Sequence, residues 1–296
     1  MKFSVWPNNG HSWDETLALA RWAATHDFDG YWYADHLMPN RPDGTPDPGA
    51  ALECWSVLSA IGALVARVRL VSMVSPVSIH HPVLLAKRAT TVDHISGGRA
   101  VLGLGAGWQI NEHAAYGFDL PSPGPRVDRF AEAIEIIHRL RSEDADTVTF
   151  EGEYYRLESA PLGPKPLGSL PLLVGTGSPR MLRLTARFAD EWNTWGDPDM
   201  VAARTDDFRA ACDAVGRDPS TMHRSCQALV MIGEGKQGIP GRTVSGNAAQ
   251  LIEQLNRYVA LGVDEFAIPD FTLGATPAER ADAYAFLHAE VIPHVG

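Results

Sequence analysis

Two adjacent residues offer acid–base chemistry, and two glycine-rich segments offer a place for a cofactor beside them. Asp35-His36 closes the apolar run Tyr31-Trp-Tyr-Ala34. Histidine can both give and accept a proton at neutral pH, so the pair is the best general acid–base candidate in the chain. An isolated Asp-His also caps helices or orders loops. Its place at the end of a strand, where an α/β barrel gathers its active site, favours the chemical role. The apolar run Ala100-Val-Leu-Gly-Leu passes directly into Gly105-Ala-Gly107, and glycines there let a flat ligand approach the backbone. Gly175-Thr-Gly-Ser-Pro179 opens a helix after a strand, so free amides, a helix dipole and a hydroxyl make an anion site suited to a cofactor phosphate.

Other chemistries fit less well. Gly103-x-Gly105-x-Gly107 fails the GxGxxG spacing of a dinucleotide fold, and no acidic residue ends a following strand at the right distance. Ser72 and Ser178 lack the GxSxG surroundings of a hydrolase nucleophile. His80-His81 invites a metal reading, but neighbours on a strand point to opposite faces and no HExxH or CxxC spacing accompanies them. No metal site is expected.

The elements that must position these residues alternate. Short buried strands are predicted at Phe3–Trp6, Tyr31–Ala34, Val68–Val74, Ala100–Leu104, Leu172–Val174, Glu191–Trp195, Arg224–Ile232 and Asp264–Ile268. Helices or helix-compatible segments follow each, among them Trp13–His26, Leu52–Val65, Pro82–His94, Val127–Arg141 with its stripe of Phe130, Ile134, Ile137 and Leu140, and Pro277–Val291. Thr147–Leu157 reads as a hairpin, followed by a Pro/Gly-rich run to Pro171. Eight strand-helix units predict an α/β fold, a (β/α)8 TIM barrel in a single domain over residues 1–296, with an excursion hairpin around residues 145–170. Every strand's carboxyl end would then face one mouth. That mouth collects Trp6, Asp35, His36, Ser72, Met73, Ala106, Gly107, Trp108, Asn111, Gly175, Gly177, Ser178 and Trp195, a slot for a planar ring. The loops Met38–Ala50 and Gly233–Val244 are the expected substrate walls.

Composition sets outer bounds. With 296 residues, 45% hydrophobic and 21% charged, the chain buries a large core. A net charge of −11 argues against a nucleic-acid-binding face. No apolar stretch is long enough to cross a bilayer, and the amino terminus has no signal-peptide pattern. Three scattered cysteines, Cys54, Cys212 and Cys226, suit reduced thiols in a cytoplasmic protein.

Several segments together resemble the luciferase-like flavin and deazaflavin oxidoreductases, the group that includes the enzymes using coenzyme F420. They are Ala34-Asp-His-Leu-Met-Pro39, Val74-Ser-Pro-Val-Ser-Ile-His-His-Pro82, Leu85–Arg99, Leu102-Gly-Leu-Gly-Ala-Gly-Trp108, Glu151-Gly-Glu-Tyr-Tyr155 and Leu173-Val-Gly-Thr-Gly-Ser-Pro179. The resemblance covers nearly the whole chain. It implies hydride transfer between a small organic substrate and coenzyme F420, with an FMN-dependent monooxygenase as the alternative; apart from the resemblance, a barrel that has lost turnover and serves as a cofactor-binding or structural subunit is a third reading. It also implies His36 as proton donor or acceptor with Asp35 beside the cofactor, and a non-proline cis peptide at Ser72-Met73 behind the ring, next to Val74. Ala106, Gly107 and Asn111 would line the ring and its ribityl chain, and Gly175, Gly177 and Ser178 the phosphate end. Trp6, Trp108 and Trp195 would face the substrate. The family's sugar-phosphate dehydrogenase looks to carry a glutamate where Trp108 stands, which argues against a glucose-6-phosphate substrate; the tryptophan suits either an apolar or aromatic partner or simple packing of the wall. The resemblance alone suggests a homodimer.

Overall fold

The computed structural model describes residues 1–144, 146–236 and 238–296. Ala145, within the predicted excursion, and Gln237, within the predicted glycine-rich loop, lie outside the described residues.

Eight parallel strands close on themselves. In chain order they are β1 (Lys2–Trp6), β2 (Gly30–Tyr33), β3 (Arg69–Ser72), β4 (Ala100–Gly105), β5 (Leu172–Gly175), β6 (Glu191–Trp195), β7 (His223–Gln227) and β8 (Glu265–Pro269). Each pairs with the next, and β8 pairs with β1 in the register Lys2↔Glu265 to Trp6↔Pro269. This is the (β/α)8 barrel that the strand count predicts. All six residues of β4 are buried, the condition under which a strand is apolar on both faces rather than alternating.

The barrel interior holds Trp6, Trp32, Ala34, Val71, Met73, Val101, Leu173 and Ala267. A larger shell of apolar side chains lies between the strands and the outer helices. The amino-terminal floor carries a buried polar cluster. Glu265 accepts hydrogen bonds from Ser4, from Trp32 Nε1 at 2.9 Å and from Arg69 Nη1 at 2.5 Å, with His223 Nε2 at 3.0 Å. Arg69 also pairs with Glu191.

Several elements differ from the prediction. The run Arg224–Ile232 is two strands: β7 ends at Gln227, and Leu229–Ile232 turns out of the barrel to pair in parallel with Thr243–Gly246. The predicted loop Gly233–Val244 thus ends inside a strand. The last helix is regular only over Pro277–Phe286 before a wider turn at Leu287–Val291. The excursion forms as a hairpin of Thr147–Glu151 and Arg156–Pro161. Among the described residues no helix is long and apolar enough to cross a membrane.

Candidate active site

The carboxyl mouth holds two adjoining cavities of about 280 and 660 Å³ that share His36, Val74, Trp108, Gly175 and Thr176. They form one cleft with two ends.

The back wall is built from β3 and β4. Gly103 has to be glycine, because a Cβ there would lie 1.9 Å from the Ser72 carbonyl oxygen. Ser72 itself is buried; its hydroxyl donates to the Gly103 carbonyl at 3.2 Å and accepts from the Gly103 amide at 3.0 Å. It therefore fixes the wall from behind and does not line the cleft. The non-proline cis bond joins Met73 to Val74, one residue later than the sequence placed it. Val74 faces both cavities and Met73 the larger. A Cβ on Gly105 would fall 2.7 Å from Val74 Cγ2, so the glycine gives its space to valine. Gly107 runs at φ 94°, the left-handed region that glycine tolerates. The result is a flat apolar face formed by Val74, Gly105, Ala106, Gly107 and Gly175.

His36 stands at the junction of the two cavities. Its Nδ1 lies 3.0 Å from Glu112 Oε1, while the Leu37 amide donates to Glu112 Oε2 at 2.9 Å. Glu112 is 1% exposed, so this contact is made out of reach of bulk water. Trp108 packs edge-on to the His36 ring at 5.3 Å. Nε2 of His36 has no hydrogen-bond partner among the described residues and is the nitrogen left for a ligand.

Asp35 does not share this position. It is 2% exposed and lies behind the wall, where Ser75 Oγ donates to it at 2.5 Å and His80 Nε2 lies at 3.0 Å. Burial pushes its carboxyl up, but the hydrogen bonds from His80 and Ser75 and the charges of His80 and His36 outweigh it and hold the group below its ordinary value. Because adjacent residues leaving a strand point opposite ways, only one of the Asp-His pair reaches the cleft. His80 is engaged with Asp35 and Arg88, and His81 receives the Val83 amide at the start of the helix Pro82–Ser96.

The remaining predicted residues divide by location. Ala106, Gly107 and Ser178 line the smaller cavity together with Arg126, whose Nη1 donates to the Gly107 carbonyl at 2.8 Å. Ser178 precedes the helix Pro179–Phe188, and its side chain makes no capping bond. Gly177 lines the larger cavity with Trp6, Trp195, Met38, Pro39 and Arg242. Both expected wall loops thus contribute. Asn111 is fully buried beneath the mouth: its Nδ2 donates to the Pro39 carbonyl at 2.9 Å, and its Oδ1 has no partner among the described residues. Sequence reasoning assigned no role to Glu112, Arg126, Thr176 or Arg204. Glu112 follows Gly107 by five positions, and its distance of 76 residues from His36 hides the pairing.

A parallel eight-stranded barrel with a ligand cleft at its carboxyl mouth is the architecture of the TIM-barrel enzymes. Residues 1–239 match the luciferase-like monooxygenase family, and the chain belongs to it. It is 38% identical over 181 residues to an F420-dependent glucose-6-phosphate dehydrogenase of Nakamurella multipartita, a match covering 61% of this chain and 51% of that protein. The match thus spans about half the length of that relative. Identity is 26% over 291 residues to an F420-dependent hydroxymycolic acid dehydrogenase of Mycobacterium tuberculosis, covering 95% of this chain and 78% of that protein. An F420-dependent secondary alcohol dehydrogenase, solved with an F420-acetone adduct, superposes over 100% of this chain and 99% of its own at TM-score 0.85 and 20% identity.

Proposed function

We propose that this protein is an oxidoreductase that uses coenzyme F420 to move a hydride to or from a small organic molecule. The observation that carries the reading is a flat apolar slot opening onto a histidine whose Nδ1 is held by a buried carboxylate and whose Nε2 has no partner among the described residues. The names of the matched relatives support it.

The residues present fit a planar tricyclic ring. Val74, Gly105, Ala106, Gly107 and Gly175 offer it a face, and Thr176, Ser178 and Arg126 surround the same cavity where a phosphate would sit. When bound, the deazaflavin supplies the hydride acceptor or donor. His36 holds or receives at Nε2 the proton that accompanies hydride transfer at the substrate, and Glu112 fixes the ring through Nδ1. Asp35 orders the loop behind the slot through Ser75 and His80. Trp108 stands edge-on to His36 at the edge of the reacting centre. Trp6 and Trp195 give the substrate end an apolar wall.

A second reading, an FMN-dependent monooxygenase using reduced flavin and oxygen, is favoured by the family match and uses the same slot. The test is a panel of alcohols, ketones and enones offered with oxidised or reduced F420, read by deazaflavin absorbance. The reading expects F420 turnover that falls by about 10²- to 10⁴-fold in His36→Ala while F420 binding persists. Turnover that needs reduced FMN and oxygen, with none on F420, contradicts it.

A further inference from the structure

The larger cavity has a charge opposite to that of the protein. The chain carries 36 acidic and 25 basic residues, yet the described residues lining this cavity include no Asp or Glu and do include Arg204 and Arg242. Neither arginine is joined to a carboxylate among the described residues. Arg204 spends its hydrogen bonds on neutral oxygens, donating from Nη1 to Thr194 Oγ1 at 2.9 Å and to the Trp195 carbonyl at 2.6 Å. Burial lowers its proton affinity, and the charge of Arg242 lowers it further. Arg204 is half-buried and Arg242 is exposed, so an anion entering the space that both line would meet two guanidinium groups without displacing a carboxylate.

Both side chains are placed by fixed backbone. Arg204 lies on the helix Pro198–Val215, close enough that a Cβ on Gly177 would touch its Nε at 3.1 Å. Arg242 immediately precedes the strand Thr243–Gly246. Its carbonyl accepts from the Leu229 amide at 2.8 Å, and its amide donates to the Ile239 carbonyl at 3.0 Å. The Asp197 amide donates to the Gly241 carbonyl at 3.0 Å, tying the two segments together. Beyond the arginines the cavity is lined by neutral amides such as Asn193 and Gln227 and by an aromatic group. Trp6 meets Trp195 at 5.7 Å and Phe271 at 5.2 Å, and the indole N–H groups of Trp6 and Trp195 are buried without an acceptor among the described residues.

We propose that Arg204 and Arg242 form a subsite for an oxyanion of the substrate, such as a carboxylate, whose apolar part lies against Trp6, Trp195 and Phe271. The inference rests on the oxidoreductase reading for calling the occupant a substrate; the anion site itself is testable without it. The competing occupant is the cofactor's own anionic chain.

The probes are phenylbutyrate and the matching phenylbutanol, titrated calorimetrically into the full chain with and without F420. A charge-assisted contact to a guanidinium predicts that the carboxylate binds at least about tenfold more tightly than the alcohol. Arg242→Gln should erase that preference while F420 affinity stays within about twofold. Arg204→Lys, which keeps the charge, should retain part of the preference, separating charge from misfolding. Equal affinity for the two probes overturns the subsite whether or not F420 binds. So does competition between phenylbutyrate and F420 together with a tenfold loss of F420 affinity in Arg242→Gln, which would give the arginines to the cofactor. Failure to bind F420 alongside a carboxylate preference would remove the cofactor reading and leave the anion subsite standing.

Discussion

Replacing Glu265 by glutamine separates charge from shape at the floor of the barrel. The carboxylate is fully buried and receives Ser4, Trp32 and Arg69, with His223 beside it. Burial pushes this carboxyl up, but the His223 hydrogen bond, the Arg69 charge and the Ser4 hydrogen bond outweigh it and bring it from 4.5 to about 2. Since the folded-state value lies below the unfolded one, the group favours folding fully above pH 4.5, and its contribution fades as pH falls through about 2. At about 1.4 kcal/mol for each tenfold in proton affinity, the contribution is about 3 kcal/mol at neutral pH, of which about 2 kcal/mol is gone by pH 3. Glu265→Gln should therefore destabilise the protein by about 3 kcal/mol at pH 7 and by only about 1 kcal/mol at pH 3. Urea denaturation of both proteins at the two pH values measures this. A gap of the same size at pH 3 and pH 7 would refute the assignment of the effect to the buried charge.

Other outcomes follow from the mouth of the barrel. Glu112→Gln keeps the shape beside His36 and removes a hydrogen bond to a charged partner worth about 1.5–3 kcal/mol, so turnover on the best substrate of the panel should fall about 10- to 100-fold. F420 affinity should be unchanged, and equal turnover in the variant would remove Glu112 from the mechanism. Gly103→Ala places a Cβ 1.9 Å from the Ser72 carbonyl, where backbone must move; it should cost more than about 3 kcal/mol and weaken cofactor binding. Gly98→Ala, at φ 87° with nothing within 4 Å of the added carbon, should cost only about 1–2 kcal/mol. Thermal unfolding of the pair separates a packing clash from a backbone preference.

The barrel was legible because most of its strands are short, largely buried runs at regular spacing, and β4 reads this way from Ala100 to Gly105, with glycine at its carboxyl end. His36 was legible for a related reason, since it stands where such a run ends. What escaped is long-range and polar. The Arg69–Glu265 contact spans 196 residues and the His36–Glu112 contact 76, and no local pattern marks either. On its helix Glu112 reads as an ordinary first-turn acid. The break between β7 and Leu229–Ile232 was hidden by Ala228, a small buried residue that continues the apolar run. That break places Arg242 at the cleft, so the least legible element carries the cation proposed to select the substrate.

Equilibrium titration of the purified protein with F420 and, separately, with FMN tests the central claim most directly. Saturable F420 binding with a change in deazaflavin absorbance, and weaker binding of FMN, is the expected result. Tight FMN binding with no response to F420 would contradict it.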